Sequence, residues 1–330
     1  RRRDFTMNAL MRDALTGTLI DRFGGQADIQ NRVIRHVDER TFRRDPLRVI
    51  RAAQFAARFD FAIAPETMAV CRTLDLGGLA WERVMGEMEK ALTRSGRPSR
   101  CFEALREMGQ LEPWLKEVAA LIGVKQRADC HPEGDAWTHT MLVVDEAAKL
   151  RDEAKNPTGL MLAALLHDVG KTVAMQEKDG VIHAYGHETA GVPLAEDFLR
   201  RLTGEKALCR YVLNMVELHM KPNMYAAQNS GQKAWNRLFD RSACPEDLLL
   251  LAKADHRGRI NAAPYAETER TIRTRLSAFE EMMARPHITG ADLLARGIQP
   301  GEEMGRLLEE AHRLRLAGVK KEDALRQMRL

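Results

Sequence analysis

Aromatic residues make up only 5% of this 330-residue chain, its five cysteines form no Cys-x-x-Cys pair, and no apolar run approaches 18 residues. Each shortage excludes something. The scattered Cys71, Cys101, Cys130, Cys209 and Cys244 fit neither a disulfide framework nor a thiolate zinc site, and they point to a reducing compartment. Without a long apolar run there is no membrane-spanning helix to expect, and no signal-peptide pattern is present. A cytoplasmic protein with no membrane partner is the expectation.

Ala, Leu, Arg and Glu are abundant, and apolar residues recur three and four apart, which predicts a mainly α chain of two or more domains. The start differs. Leu19-Ile20-Asp21 and Val33-Ile34-Arg35-His36-Val37 are short β-like runs separated by the turn Gly24-Gly25, and they predict the last strands of a truncated α/β domain. Asp45-Pro46 predicts a helix start, with Asp as cap and Pro in the first turn. Beyond it Leu47, Ile50, Ala53 and Ala57 line one face and Arg48, Arg51 and Arg58 the other. Further helices are expected near 65–75, 81–93, 99–108 and 113–121. A polar linker, Asp129–Asp135, marks a boundary before helices near 137–151, 158–169, 188–202, 205–219 and 245–256. After Pro264 a helical tail follows, broken at Arg285-Pro286, Gly290, Gly297 and Pro300-Gly301.

The net charge is only +4, but Arg concentrates in the first part of the chain, at 1–3, 32, 35, 40, 43, 44, 48, 51 and 58. A local basic stripe of this kind suits an acidic polymer or a nucleotide. Any one of these Arg residues taken alone reads as a solvated helix face.

Four His and two Asp stand at helix ends in the order His139, His167-Asp168, His187, His219, Asp255. Imidazole and carboxylate are the donors that a hydrolytic two-metal site needs. Rigid helices can bring such ends together where solvent enters. The order, extended by Val169-Gly170-Lys171, resembles the HD phosphohydrolase superfamily. That resemblance implies one divalent metal on His139, His167, Asp168 and Asp255 and a second served by His187 and His219. His167 and Asp168 would be central to catalysis, and Lys171 would add a point charge for phosphate, unless it is simply a solvated Lys after a helix end. Mg, Mn, Ni and Co all suit these donors.

Asp45 and Arg48 sit three apart on one helix face, an acceptor beside a donor. Side by side they match the pairing edge shared by cytosine and adenine, an amino donor next to a ring-nitrogen acceptor. Guanine and uracil would meet Arg donor to donor and be rejected. The alternative for the same residues is that Asp45 caps its helix while Arg48 and Arg51 are solvated.

Several segments in series bear on that choice: Arg1-Arg2-Arg3-Asp4-Phe5-Thr6-Met7-Asn8-Ala9-Leu10, then Asp21 with Gly24-Gly25 and Asp28-Ile29, then Asp45-Pro46-Leu47-Arg48 with Arg51, Ala52, Phe55, Ala56 and Arg58. Together with Glu82-Arg83-Val84 and Glu87, and with Thr289–Leu293 and the glycines that follow, they resemble the class II tRNA nucleotidyltransferases, CCA-adding enzymes and their poly(A) polymerase relatives. The resemblance implies four parts: a C-terminal remnant of a nucleotidyltransferase head at 1–37, a helical neck at 38–128, an all-helical HD domain at 129–262 and a tRNA-binding helical tail at 263–330. It implies CTP, ATP and tRNA as partners and Mg for nucleotidyl transfer. Asp45 and Arg48 would template the incoming nucleotide, with Arg3, Arg51 and Arg58 contacting base or phosphates. Arg44 departs from the family, where Glu commonly precedes this Asp. No Asp-x-Asp occurs in the chain, so the family's metal-holding carboxylates for transfer are not among these residues. HD-site hydrolysis would act on phosphoesters such as 2′,3′-cyclic or terminal phosphates at RNA ends. A stand-alone HD metallophosphohydrolase, an RNA-binding module and a poly(A)-adding enzyme are the alternatives.

Overall fold

The structure is a computed structural model that describes residues 2–127, 132–179 and 181–330, without the side chains of Lys178 and Val181. The chain divides into two compact units. One comprises the residues up to His219 with Leu250–Ala263, and the other Met220–Leu249 with Pro264–Leu330.

In the first unit the opening motif is a scaffold. Phe5 is fully buried against the rings of Phe42 and Phe55, and bridges to His36. Asp21 accepts the backbone N–H groups of Gly25 and Gln26, both at 2.9 Å, at the start of the short helix Gly25–Gln30. Gly25 is required there: a Cβ on it would meet the Thr6 carbonyl oxygen at 2.4 Å. Asp28 then accepts from the Thr6 hydroxyl at 2.6 Å and from Arg35 Nε at 3.1 Å. Of the two expected strands, Leu19–Ile20 pairs antiparallel with Met11–Arg12, while Val33–Ile34 pairs parallel with Ala62–Ile63.

The helix predicted after Asp45 runs Leu47–Phe59 and buries Leu47, Ile50, Ala53 and Ala57 as expected. The capping expectation is corrected. Pro46 is the cap residue and no side chain caps this helix, because the Asp45 carboxylate is drawn to Arg83 instead. Helices Pro65–Cys71, Trp81–Arg94 and Ser99–Glu107 follow. The helix expected at 113–121 shrinks to Lys116–Ala119.

Helix Pro157–Leu166 is the centre of this unit. Every residue from Leu160 to Leu166 is fully buried, so the segment has no polar face and is packed around its circumference. Ala136–Leu150 and Lys206–Leu218 pack on it, and His187–Leu202 packs on Lys206–Leu218. Asp135 starts the first of these by accepting Thr138 N–H at 2.9 Å. Asp129, Cys130 and His131 of the expected linker lie outside the described residues.

The second unit contains helices Met220–Ala227 and Gln232–Arg241, which the periodicity did not reveal. It also holds Ala266–Ala284, Gly290–Leu294, Glu302–Leu316 and Lys321–Gln327. Trp235 is fully buried between Tyr225 and Phe239. Asn236 donates to the Leu316 carbonyl at 2.9 Å, tying the start of the unit to its end. Among the described residues no helix is long and apolar enough to cross a membrane.

Candidate metal centre and nucleotide pocket

All six predicted metal ligands meet at one place in the first unit. His167 and His219 cap the C-terminal ends of Pro157–Leu166 and Lys206–Leu218. His187 is the first residue of its helix after Gly186, whose φ of +75° makes the reversal that glycine permits. His139 lies in the second turn of Ala136–Leu150, and Asp255 near the end of Pro245–Arg257. Two glycines allow the approach. A Cβ on Gly170 would stand 2.0 Å from the His187 carbonyl oxygen, and one on Gly258 would stand 2.5 Å from Val143 Cγ2. The first contact seats the His187 helix against Asp168; the second seats the Asp255 helix against the His139 helix.

The ligand atoms form two groups, His139, His167 and Asp255 in one and Asp168, His187 and His219 in the other, each with its atoms within 4.8 Å of one another. Asp168 joins them. Its Oδ2 lies 3.3 Å from His167 Nε2, and its Oδ1 lies 3.2 Å from His187 Nε2 and 3.9 Å from His219 Nε2. His139 Nε2 is 3.1 Å from Asp255 Oδ1.

The imidazoles are oriented in a way that suits metal. His167, His187 and His219 each place Nδ1 against the carbonyl three residues back, Ala164 and Ala184 at 2.8 Å and Val216 at 2.7 Å. An Nδ1–H donated to a carbonyl leaves the Nε2 lone pair facing the centre. His139 Nδ1 instead meets Glu133 Oε1 at 2.8 Å, with both side chains fully buried. Buried His167 Nε2 has no hydrogen-bond partner, although a buried polar atom normally has one. A nitrogen without a hydrogen bond, 3.3 Å from Asp168 Oδ2 and within 4.8 Å of ligand atoms of His139 and Asp255, fits a divalent cation.

The charged groups of the centre are closely coupled: burial pushes His139 and His187 down, but the carboxylates beside them, Asp255 and Glu133 for the first and Asp168 for the second, raise both. Burial pushes the pKa of Asp168 up, but His167, Lys171 and His187 outweigh it and hold the group well below 3.8. Asp255 is likewise held well below its ordinary value, burial being overcome by His139 and Arg259. Burial and the neighbouring His167 and His187 push His219 down to about 3, so it stays neutral and able to ligate. Lys171 lies 2.6 Å from Asp168 Oδ2 and also donates to Gln126; it is buried, not solvated. Glu133, Gln126 and Arg259 are residues the sequence reading missed. Glu133 has only one sequence signal, a carboxylate in the polar linker just before the His139 helix.

The basic end of the first unit holds a concavity of about 520 Å³, lined by Arg2, Arg3, Asp4, Asn8, Asp45, Arg48, Arg51, Phe55 and Arg83 among others. It gathers four of the five expected nucleotide contacts, Arg3, Asp45, Arg48 and Arg51. Arg58 does not line it; exposed at the far end of the helix, it lies over the Phe59 ring. Arg51 is fixed by Asp4 through Nε at 2.9 Å and Nη2 at 2.6 Å, and by Glu87 at 3.0 Å. Arg48 donates to the carbonyls of Thr41 and Arg2 at 2.8 and 2.9 Å. Arg83 and Arg2 were not among the expected site residues.

Comparison with known proteins places the chain in a family. Residues 136–260 match the HD domain family, 1–35 the poly A polymerase head domain, and 60–122 the probable RNA and SrmB-binding site of polymerase A. The multifunctional CCA protein of Burkholderia cenocepacia strain HI2424 is 40% identical over 336 residues, covering 96% of this chain and 76% of that protein. That of Actinobacillus pleuropneumoniae serotype 5b is 38% identical over 274 residues, covering 78% of this chain and 64% of the other. Among solved structures, a CCA-adding enzyme with ATP superposes with TM-score 0.64 at 18% identity, covering 99% of this chain and 70% of that one. The Thermotoga maritima CCA-adding enzyme complexed with tRNA-CCA superposes with TM-score 0.61 at 18% identity, covering 99% and 72%. At such identities the superpositions speak for the fold, and the close relatives for the family: this chain belongs to the multifunctional CCA protein family.

Proposed function

We propose that this chain serves CCA addition to tRNA 3′ ends from CTP and ATP, and that it carries a metal-dependent phosphoesterase in the same polypeptide. The observation that carries the second activity is the convergence of six buried ligand side chains in two adjoining groups, with His167 Nε2 left without a hydrogen bond. His139, His167 and Asp255 would hold one divalent metal and Asp168, His187 and His219 a second, with one Asp168 oxygen directed to each group. The sequence-based expectation gave Asp168 to the first metal alone and left the second only His187 and His219. Mg, Mn, Ni and Co all accept such nitrogen and oxygen donors. When bound, the metals supply an acidified water and charge compensation for phosphoryl oxygens. The chain's own residues orient and exclude. Backbone carbonyls and Glu133 fix the imidazoles, Lys171 and Arg259 place positive charge at the edge of the centre, and the buried Pro157–Leu166 helix keeps water from its inner side.

For nucleotidyl transfer these residues provide recognition. Arg2, Arg3 and Arg51 offer phosphate contacts, and Asp45 with Arg48 selects cytosine and adenine over guanine and uracil. The relatives' names favour CCA over poly(A) addition. tRNA backbone contacts from the basic neck would weaken with salt.

Hydrolysis of adenosine 2′,3′-cyclic phosphate by the chain supplied with Mn²⁺ or Ni²⁺ tests the phosphoesterase. His167→Ala and Asp168→Ala should reduce turnover to background. Equal turnover in both variants and the parent would contradict it.

A further inference from the structure

Between Ala184, whose carbonyl holds His187 Nδ1, and His187 itself stands Tyr185, the most exposed aromatic ring among the described large hydrophobic residues at 83%. It is not loose. Its ring stacks on that of His183, with centroids 4.9 Å apart and planes inclined by 16°. His183 ends the strand Val181–His183, which pairs with Gln176–Lys178 in register with Gln176 opposite His183. The hairpin thus fixes one ring, that ring backs the second, and the outer face of the second is open to solvent. Exposed tyrosine normally buries its ring or anchors it along one edge. A ring supported from behind and bare in front is a stacking platform of the kind that binds nucleobases.

Its place in the chain gives the platform a purpose. A single residue, Gly186, separates Tyr185 from His187, so their Cα atoms can be no more than roughly 7 Å apart. The His187 backbone N–H bonds back to the Ala184 carbonyl at 3.3 Å, which folds the segment into a turn ending at the ligand. A base resting on Tyr185 would therefore sit on the same turn that carries a ligand of the centre. Every base offers a π-face, so such a platform selects for nucleotides without selecting among them.

We propose that Tyr185, backed by His183, stacks the base of the nucleotide whose phosphoester is hydrolysed, making this centre selective for nucleotidyl over base-free phosphoesters. The proposal rests on the phosphoesterase reading given above, and deepens it. Tyr185 acts as a specificity-determining residue, touching substrate but no reacting atom.

The test compares adenosine 2′,3′-cyclic phosphate with 1-O-methylribose 2′,3′-cyclic phosphate, which has the same reacting group and no base, using the Mn²⁺-supplied chain. Tyr185→Ala should raise KM for the first about tenfold or more, leave kcat and the second substrate unchanged, and be rescued by Tyr185→Trp. Equal losses on both substrates would mean that Tyr185 only positions His187; no change on either would mean that no base stacks there. Calorimetric titration with adenosine 2′-monophosphate gives a second readout that needs no turnover. If the parent binds it about tenfold more tightly than Tyr185→Ala does, yet hydrolyses neither substrate, the platform stands and the phosphoesterase reading fails. If Tyr185→Ala binds it as tightly as the parent, the platform is refuted.

Discussion

Arg83 grips both carboxylate oxygens of Asp45, at 3.1 and 2.9 Å. It thereby occupies the acceptor side on which the selection of cytosine and adenine depends. Half of the Arg83 side chain is exposed and a third of the Asp45 side chain. An exposed pair of this kind contributes less than about 1 kcal/mol, so an incoming base can exchange with it. Arg83→Ala should thus leave the unfolding free energy within about 1 kcal/mol of the parent, while tightening CTP and ATP binding in equilibrium dialysis. Asp45→Ala should bring GTP and UTP up to parity with them. Unchanged preference in Asp45→Ala would remove Asp45 from base selection.

Glu133 sets a carboxylate oxygen 2.8 Å from the outer nitrogen of a ligand imidazole, His139 Nδ1. Such partners raise ligand basicity and fix the ring, and their loss typically lowers metal affinity about 10- to 100-fold. Glu133→Gln should do so in a Mn²⁺ or Ni²⁺ titration with the circular dichroism unchanged. Parent-like affinity would show the contact to be packing alone.

Gly170 has an ordinary helical φ, so its need for glycine is steric. Gly170→Ala should destabilise the chain by about 1–3 kcal/mol through overpacking, and it should lower metal content, because the backbone it displaces carries His187. Denaturant unfolding and metal analysis measure the two effects. A variant as stable as the parent, with full metal, would contradict the close approach.

Asp4 gives a pH signature. Burial raises its pKa, but the bonds from Asn8, Arg51 and the Phe5 N–H outweigh this and leave it below 3.8. A carboxyl depressed in the folded state adds stability that is present above the unfolded pKa and lost as pH falls through the folded one. The stability gap between the parent and Asp4→Asn should accordingly be constant near neutrality and close below about pH 4. A gap that widens on acidification would contradict the sign.

The cluster of candidate ligands was legible because most of its members sit at or near helix ends that the sequence marks. Leu160–Leu166 is an unbroken apolar run ending at His167-Asp168, and Gly186 announces His187. The finer geometry was not legible. Whether Asp168 serves one group or both depends on a helix crossing that Gly170 permits but periodicity does not encode. Strands of two or three residues, such as Ala62–Ile63 and Gln176–Lys178, are too short to display alternation. Asp45 was read as a cap from local preference, and a tertiary partner 38 residues away overrode it. Helix Gln232–Arg241 buries Trp235, Leu238 and Phe239 on one face, but it is so brief between Gly231 and Ser242 that its periodicity covers little more than two turns.

The most direct measurement is the metal content of the chain after reconstitution with Mn²⁺ or Ni²⁺ and removal of the excess. Two groups of three ligands joined by Asp168 predict two metals per chain, one in the double variant His187→Ala/His219→Ala, and fewer than one in Asp168→Ala. A parent chain that binds no metal, or a double variant that keeps both, would contradict the account.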